Sequence, residues 1–254
     1  MGKDALAANT TADSNTAVGM NSLKANTTGA GNTAFGFNSL DANTTAANNT
    51  GIGYNVLSAN TTGADNTAVG SQAMAATSTG SYNVAVGQLA LNDNTTGSYN
   101  LALGYNCLSL STTASNNTAV GHAALGANTT GGGNVAVGAY AGDANTEGEN
   151  LTAVGHQAAS GNTTANHTTA IGTNALLANT TGANNTAVGK DALKANTTGT
   201  QLASVGTNSL DANSTGNYNT ALGYAALGGN TDGANNTAVG GAVGGGISGA
   251  AVGS

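Results

Sequence analysis

The sequence has no proline, no tryptophan and no arginine, and it contains a single cysteine, Cys107. Without proline or a Gly-x-y period it cannot form a collagen helix, and one cysteine excludes an internal disulfide framework. No apolar run approaches the ~18 residues of a transmembrane helix. Only 6% of its 254 residues are charged, while glycine alone occurs 40 times. Gly, Thr and Asn are abundant and form helices weakly. Two classes of protein therefore remain possible, a disordered low-complexity chain and a β-rich repeat protein.

Positive charge is also scarce. Four Lys against eleven acidic residues give a net charge of −7. Nucleic-acid binding and attachment to an anionic membrane surface both need clustered cations, so we expect neither partner, and no membrane insertion. The residues after Met1 include no basic segment followed by an apolar one, so we expect no Sec signal in this sequence.

One glycine recurs every 17 residues from Gly2 to Gly240, without insertion or deletion through fourteen repeats. A disordered chain has no reason to keep such a register. With this glycine as position 1, the consensus is G-x-N-A-L-x-A-N-T-T-G-A-N-N-T-A-V. The invariant glycine indicates a positive φ or a close backbone approach. Asn at positions 8 and 14 is expected to stack in ladders.

The side chains at three positions suggest a core. Position 17 is Val, Ile, Leu or Phe in every repeat, position 15 is Thr, Val, Leu or Ala, and position 5 is mostly Leu. Alternation along a strand places positions 15 and 17 on one face, and we expect that face and position 5 to be buried. Two strands per repeat follow, at about positions 14–17 and 3–7.

One 17-residue unit cannot bury its apolar side chains alone, whereas stacked units can. We therefore predict an all-β fold, a parallel β-solenoid (β-roll) of about fourteen 17-residue coils over residues 1–240. The Gly-rich segment 241–254 departs from the repeat, and we expect it to cap the stack or to join another subunit.

Position 16 accepts only small residues. Crowding within the coil, a chain–chain interface and a flat ligand surface all remain open explanations. The candidate interface residues are Ala17, Ala34, Gly51, Ala68, Ala85, Ala102, Ala119, Ala136, Ala153, Ala170, Ala187 and Ala238.

The pentapeptide N-T-A-V-G at 15–19 and 185–189, with N-T-A-F-G at 32–36, resembles the head repeat of YadA-like trimeric autotransporter adhesins. It is also similar to tandem repeats of some phage tail fibres. The resemblance implies a left-handed parallel β-roll, three chains packed side by side, and a role in adhesion or reach. It also implies an extracellular location, at a cell or virion surface.

Nothing in the sequence assembles a catalytic site. The three His are scattered, Cys107 stands where other repeats carry small residues, and Asp143, Glu147 and Glu149 lack a calcium-loop spacing. No glycine is followed by Lys-Ser/Thr, as in a phosphate loop. We expect no enzyme activity, no cofactor and no metal.

Two surfaces remain as candidates for binding. Tyr at positions 2 and 13 flanks turns, where it covers loop edges or stacks on carbohydrate. The Thr column at position 10 resembles the ordered arrays of ice-binding β-solenoids, although Asn and Thr also satisfy turn backbone groups. The candidate ligand or ice surface is Thr28, Thr45, Thr62, Thr96, Thr130, Thr164, Thr181 and Thr198.

The sequence therefore predicts a non-enzymatic structural or adhesive protein, as a segment or subunit of an extracellular fibre. An adhesin head, a tail fibre and a self-stacking filament are the forms considered. Its partners would be further copies, as a homotrimer or a head-to-tail filament, with carbohydrate or a host surface as ligand. The alternative is an ice-binding β-solenoid.

Overall fold

The computed structural model describes residues 2–244. The chain is an all-β parallel solenoid of about 14 coils with roughly 17 residues per turn, and the described residues include no helix. The chain divides into two compact units, residues 1–130 and 131–254. The predicted fold class is confirmed. The predicted cap or joint lies outside the described residues, except for 241–244, which form a turn.

Each coil contributes one three-residue strand, at positions 15–17 of the repeat. The first unit contains β1 Thr16–Val18, β2 Thr33–Phe35, β3 Thr50–Ile52, β4 Thr67–Val69, β5 Val84–Val86, β6 Leu101–Leu103 and β7 Thr118–Val120. The second contains β8 Val135–Val137, β9 Thr152–Val154, β10 Thr169–Ile171, β11 Thr186–Val188, β12 Ala203–Val205, β13 Thr220–Leu222 and β14 Thr237–Val239.

Within each unit, consecutive strands pair in parallel and in register with the residue 17 positions away. Ala17 is paired with Ala34 in the first unit, and Ala170 with Ala187 in the second. The Thr33 amide donates to the Asn49 carbonyl at 2.8 Å. Because neighbouring strands pair in register about 4.8 Å apart, every repeat position forms a column of equivalent side chains within each unit.

The second predicted strand, at positions 3–7, is a turn. Positions 3 and 5 have left-handed backbones, with φ of 60° at Asn21 and 49° at Leu23. The backbone nevertheless bonds between coils, since the Leu23 amide donates to the Ser39 carbonyl at 3.0 Å. Positions 3–7 therefore form a ladder of hydrogen bonds between coils, as strands do, but their backbone is not extended.

The glycine at position 1 has both a positive φ and a close approach to a neighbouring backbone, the two features that its invariance indicates. Its φ lies between 129° at Gly70 and 141° at Gly104. A Cβ on Gly104 would lie 2.4 Å from the Gly121 carbonyl oxygen, a distance that no side chain tolerates. The column of glycines therefore lets the backbones of adjacent coils approach each other.

The core of each coil is narrow. Position 5 is buried as predicted, and Leu23, Leu40 and Leu193 are fully enclosed. The remaining space is filled by small residues at positions 4 and 16 and by Asn at positions 8 and 14. Positions 15 and 17 do not contribute, so the prediction that they form the core is wrong. Strands show the burial pattern out-in-out, with the middle residue alone inside.

Candidate interaction surfaces

The outward side chains of the strands form two columns, at positions 15 and 17, which we call the outer columns. Position 17 is apolar in every coil and position 15 is Thr, Val, Leu or Ala. Phe35 is 55% exposed and Val205 is 38% exposed. The most exposed members are Val18, Phe35, Ile52, Val84, Val86, Val135, Val137, Ile171, Val205, Leu222 and Val239.

The outer columns carry no charge, although they face outward. All fifteen charged residues of the chain occupy other positions, mostly on the turns, as Lys24 and Asp65 do. Ionic side chains are common on open protein surfaces. Two exposed columns without one charged residue in the part of the chain that the structure describes are therefore a distinct, uncharged surface, which is apolar at position 17 and mostly Thr at position 15.

The position 16 column lies inside the coil, so its prediction as a chain–chain interface is corrected. Its members pair strand to strand but are enclosed by their own coil: Ala34 and Ala136 have no exposed surface. The Ser39 hydroxyl donates to the Gly51 carbonyl at 2.8 Å, which places position 4 directly against position 16. Crowding within the coil is what restricts the size of Ala17, Ala34, Gly51, Ala68, Ala85, Ala102, Ala119, Ala136, Ala153, Ala170, Ala187 and Ala238.

The Thr column at position 10 is exposed, as its prediction as a binding surface requires. The described structure records no hydrogen bond from the hydroxyls of Thr28, Thr45, Thr62, Thr96, Thr130, Thr164, Thr181 and Thr198 to the rest of the chain. Position 9 behaves differently, because its hydroxyl is used between coils. The Thr27 Oγ1 donates to the Thr44 carbonyl at 3.0 Å. Free hydroxyls are thus confined to the outermost Thr of each pair.

Asn at positions 8 and 14 forms two buried ladders, as predicted. At position 8, the Asn43 Nδ2 donates to Asn26 Oδ1 at 2.9 Å and to the Ala46 carbonyl at 3.0 Å. At position 14, the Asn32 Oδ1 accepts the backbone N–H of Asn49 at 2.9 Å. These bonds satisfy polar groups that burial would otherwise leave unpaired. Most of the Asn residues at position 8 start Asn-x-Thr sequons, and from Asn26 onward these Asn side chains are enclosed and unsuited to glycan attachment.

Aromatic side chains stack along two columns of the turns. Tyr82 and Tyr99 at position 13 lie parallel, with ring centroids 5.1 Å apart, and both are more than half exposed. At position 2, Phe37 stacks on Tyr54 at 5.5 Å. The sequence places the tyrosines at turn edges, but only the coil spacing reveals that adjacent rings pair. Counting tyrosines alone missed Phe37.

The titratable groups do not converge. Within the described residues, no three His, Cys, Asp or Glu are grouped to hold a metal ion. His122 lies against Tyr105, with ring centroids 5.5 Å apart. Cys107 is buried, its Sγ donates to the Ala119 carbonyl at 3.2 Å, and burial raises the pKa of this thiol to about 12. It packs as a small core residue. Asp143 is half-buried at position 6, and Glu147 and Glu149 lie on the following turn.

Two carboxyl groups illustrate opposite environments. Burial raises the pKa of Asp41 above its ordinary value, against weaker lowering by backbone hydrogen bonds and by Lys24. The amide of Asn174 donates to Asp191 and lowers the pKa of that carboxyl, with help from Lys194 and Lys190. Lys194 Nζ lies 3.5 Å from Asp191. Both carboxyl groups lie on turns, Asp41 at position 6 and Asp191 at position 3.

The described part of the chain includes no helix that is long and apolar enough to span a bilayer. Comparisons with family models, with curated proteins and with solved structures find no match.

Proposed function

We propose that the chain is a non-enzymatic structural and adhesive repeat protein, a segment of an extracellular fibre on a cell or virion surface. In this proposal, copies of the chain pack side by side through the outer columns. The resemblance of the N-T-A-V-G repeat to adhesin heads and tail fibres supports a homotrimer. The observation that carries the proposal is the exposed and uncharged face at positions 15 and 17, which is apolar in every coil at position 17.

The size of this face suits a protein partner. In each unit, seven strands spaced by ~4.8 Å and two columns ~7 Å apart give a strip of a few hundred Å². A strip of that size matches the largest patches on monomers, which are often functional.

A second copy is the partner that fits best. Each strip repeats at the spacing of the coils, so a copy of the chain presents ridges and gaps with the same period. Copies with a net charge of −7 repel each other. The outer columns are the part of the surface where two copies approach without bringing charged groups together.

The test is to place a lysine in the outer columns. Ile171→Lys with Val205→Lys puts two cations on this face, where partner chains would have to desolvate them. We expect sedimentation equilibrium to show an oligomer for the unchanged chain and a monomer for the variant, with the same circular dichroism spectrum.

The matched control is Thr173→Lys with Thr207→Lys. These residues lie at position 2 of the next coils, two residues after Ile171 and Val205, where Lys3 and Lys190 occur naturally. The control adds the same charge and should remain oligomeric. The proposal would be refuted if the unchanged chain stayed monomeric at the highest soluble concentration. It would also be refuted if the variant with Ile171→Lys and Val205→Lys formed the same oligomer as the unchanged chain.

Ice binding is the second candidate, favoured by the exposed Thr column at position 10. Its hydroxyls have no partner within the described chain, and they repeat at the ~4.8 Å coil spacing. Such an array can order water if it is flat and regular. This function uses a different column from the proposed oligomer contact, so the two candidates can be tested separately.

The measurement is thermal hysteresis. If the Thr column binds ice, the unchanged chain lowers the freezing point below the melting point. Replacing Thr28, Thr62 and Thr96 with Lys removes the effect without unfolding the chain. Gln88→Lys, an exposed change at position 2, is the control and should retain activity. Absence of hysteresis in the unchanged chain would eliminate this candidate.

A further inference from the structure

The Asn ladder at position 8 is interrupted twice in the first unit. It runs without a break through Asn26, Asn43 and Asn60, each of which donates its Nδ2 to the Oδ1 of the preceding Asn. Thr77 and Ser111 then replace Asn in the column. Neither side chain has an amide to donate to the preceding coil.

The two breaks leave buried polar atoms without partners. Asn60 Oδ1 and Thr77 Oγ1 are unpartnered at the first break, and Asn94 Oδ1 and Ser111 Oγ at the second. All four residues are fully enclosed. The orientation of Asn60 is fixed, since its Nδ2 is committed to Asn43 Oδ1 and to the Gly63 carbonyl. Its Oδ1 therefore points toward the break.

We infer that each break is a binding site for one ordered water molecule. Buried unsatisfied polar groups are rare, and enclosed water is the usual partner that satisfies them. The backbones of adjacent coils are about 4.8 Å apart, and the Asn amide spans this spacing directly, whereas the hydroxyls of Thr77 and Ser111 make no such bond. One water spans up to ~5.6 Å between two oxygens, as two O–H···O contacts of ~2.8 Å.

The surrounding groups select water over other ligands. At the first break, the water donates to Asn60 Oδ1 and exchanges a hydrogen bond with Thr77 Oγ1. The amide of Asn94 donates to the Gly97 carbonyl at 3.0 Å and has a second N–H to offer from the following coil. These groups are neutral, so they do not compensate a cation, and sites for hard metal ions are normally built with carboxylates. The ligand is a small neutral molecule that both donates and accepts.

At the second break, Asn94 Oδ1 and Ser111 Oγ supply the two contacts of the other water. Ser111 is shorter than the Asn that it replaces, and in this inference the water occupies the volume of the missing amide. The two waters thus complete the ladder where the sequence omits an amide. This inference concerns the interior of the coil and is independent of the proposed function.

Isosteric removal of the hydroxyl distinguishes a bound water from a dry break. In a dry break, Thr77→Val removes an unsatisfied buried hydroxyl and raises the Tm. With water present, the same change deprives the water of a partner. We expect a fall in Tm of about 2–4 °C for Thr77→Val, and a fall for Ser111→Ala. Thr62→Val, the same substitution at an exposed position, is the control and should have little effect.

A high-resolution crystal structure of the whole chain tests the site directly. We expect one water within hydrogen-bond distance of Asn60 Oδ1 and Thr77 Oγ1, and another at Asn94 Oδ1 and Ser111 Oγ. In Thr77→Asn, the introduced amide should displace the first water and leave the second. Dry breaks in the unchanged chain, or a rise in Tm for Thr77→Val, would overturn the inference.

Discussion

The residue with the strictest requirement is the glycine at position 1. It combines a φ near 135° with a carbonyl of the next coil in the place of its missing Cβ. Position 5 differs, because there a residue with a large side chain has a left-handed backbone: Leu40 has a positive φ, and its side chain is fully buried. The strain of such a backbone is tolerated only where the surrounding structure compensates it.

Replacing Gly206 by Ala tests this requirement. The Cβ would lie 2.3 Å from the Gly223 carbonyl oxygen, at a φ of 135°. We expect a loss of at least ~2 kcal/mol in the free energy of unfolding, measured by urea denaturation. Gly241→Ala is the control, since its Cβ would meet nothing closer than the Tyr224 carbonyl oxygen at 4.0 Å. Equal effects of the two changes would contradict the argument.

The pH dependence of stability provides a second test at a single position. Burial raises the pKa of Asp41 in the folded chain above the ordinary value of 3.8. Between these two values, the folded chain holds more protons than the unfolded chain, so the contribution of Asp41 to stability falls as pH rises.

Asp41→Asn mimics the protonated carboxyl and should therefore raise the Tm at pH 7. This advantage should disappear below pH 3.8, where the carboxyl is protonated in both states. Thermal melts at the two pH values provide the measurement. Asp65→Asn, an exposed change that removes the same charge, corrects for the effect of net charge. If Asp41→Asn changed the Tm by the same amount at both pH values, the raised pKa of Asp41 would be contradicted.

The strands show where sequence reasoning succeeded and where it failed. Period-2 alternation correctly separated positions 15 and 17 from position 16, but it does not reveal which face is inside. The larger apolar side chains were assigned to the core, and the structure encloses Ala instead. A coil of 17 residues with Leu and two Asn inside has space only for a small residue opposite them.

The informative signal was the range of sizes at each position. Position 16 is limited to Ala, Gly51 and Ser204, whereas position 17 accepts Val, Ile, Leu and Phe. Such variation in size belongs to an open surface, and uniform smallness belongs to an enclosed site. The Asn ladders, position 5 and the glycine column were predictable because each had one physical explanation. The aromatic pairs were not, since they depend on which coils are adjacent.

A pair of truncations tests the corrected faces. Leu193 is enclosed, so Leu193→Ala should reduce the free energy of unfolding by about 2–5 kcal/mol. Val205 faces outward, so Val205→Ala should change the stability of the isolated chain by less than ~0.5 kcal/mol. Urea denaturation at several protein concentrations separates this value from any effect on association. If Leu193→Ala and Val205→Ala reduced the free energy of unfolding by comparable amounts at low protein concentration, position 17 would belong to the core after all.

As a whole, the molecule is a series of nearest-neighbour contacts. Strands are paired only with the strand 17 residues before or after them within each unit. Side-chain bonds follow the same rule, as in the Thr column at position 9. The stability of such an array is the sum of coil and interface terms, so local damage spreads to a limited distance.

Hydrogen exchange should reveal this limited range. Leu176→Ala creates a cavity in one coil, and we expect faster amide exchange in that coil and in the coils paired with it, including β10 and β11. The strand β13 should retain the protection of the unchanged chain. Exchange that accelerates equally at Leu176 and at β13 would show instead that the second unit opens as one cooperative body.

The strict pairing of each residue with its equivalent 17 positions away also governs which genetic changes the protein survives. Recombination that adds or removes one complete coil creates no new kind of contact, because every junction repeats an existing one. A single inserted residue in a strand is different: it turns an enclosed alanine outward and a valine inward, and it shifts both asparagine ladders. We therefore expect the fold to tolerate a change in the number of repeats but not a change in the repeat period.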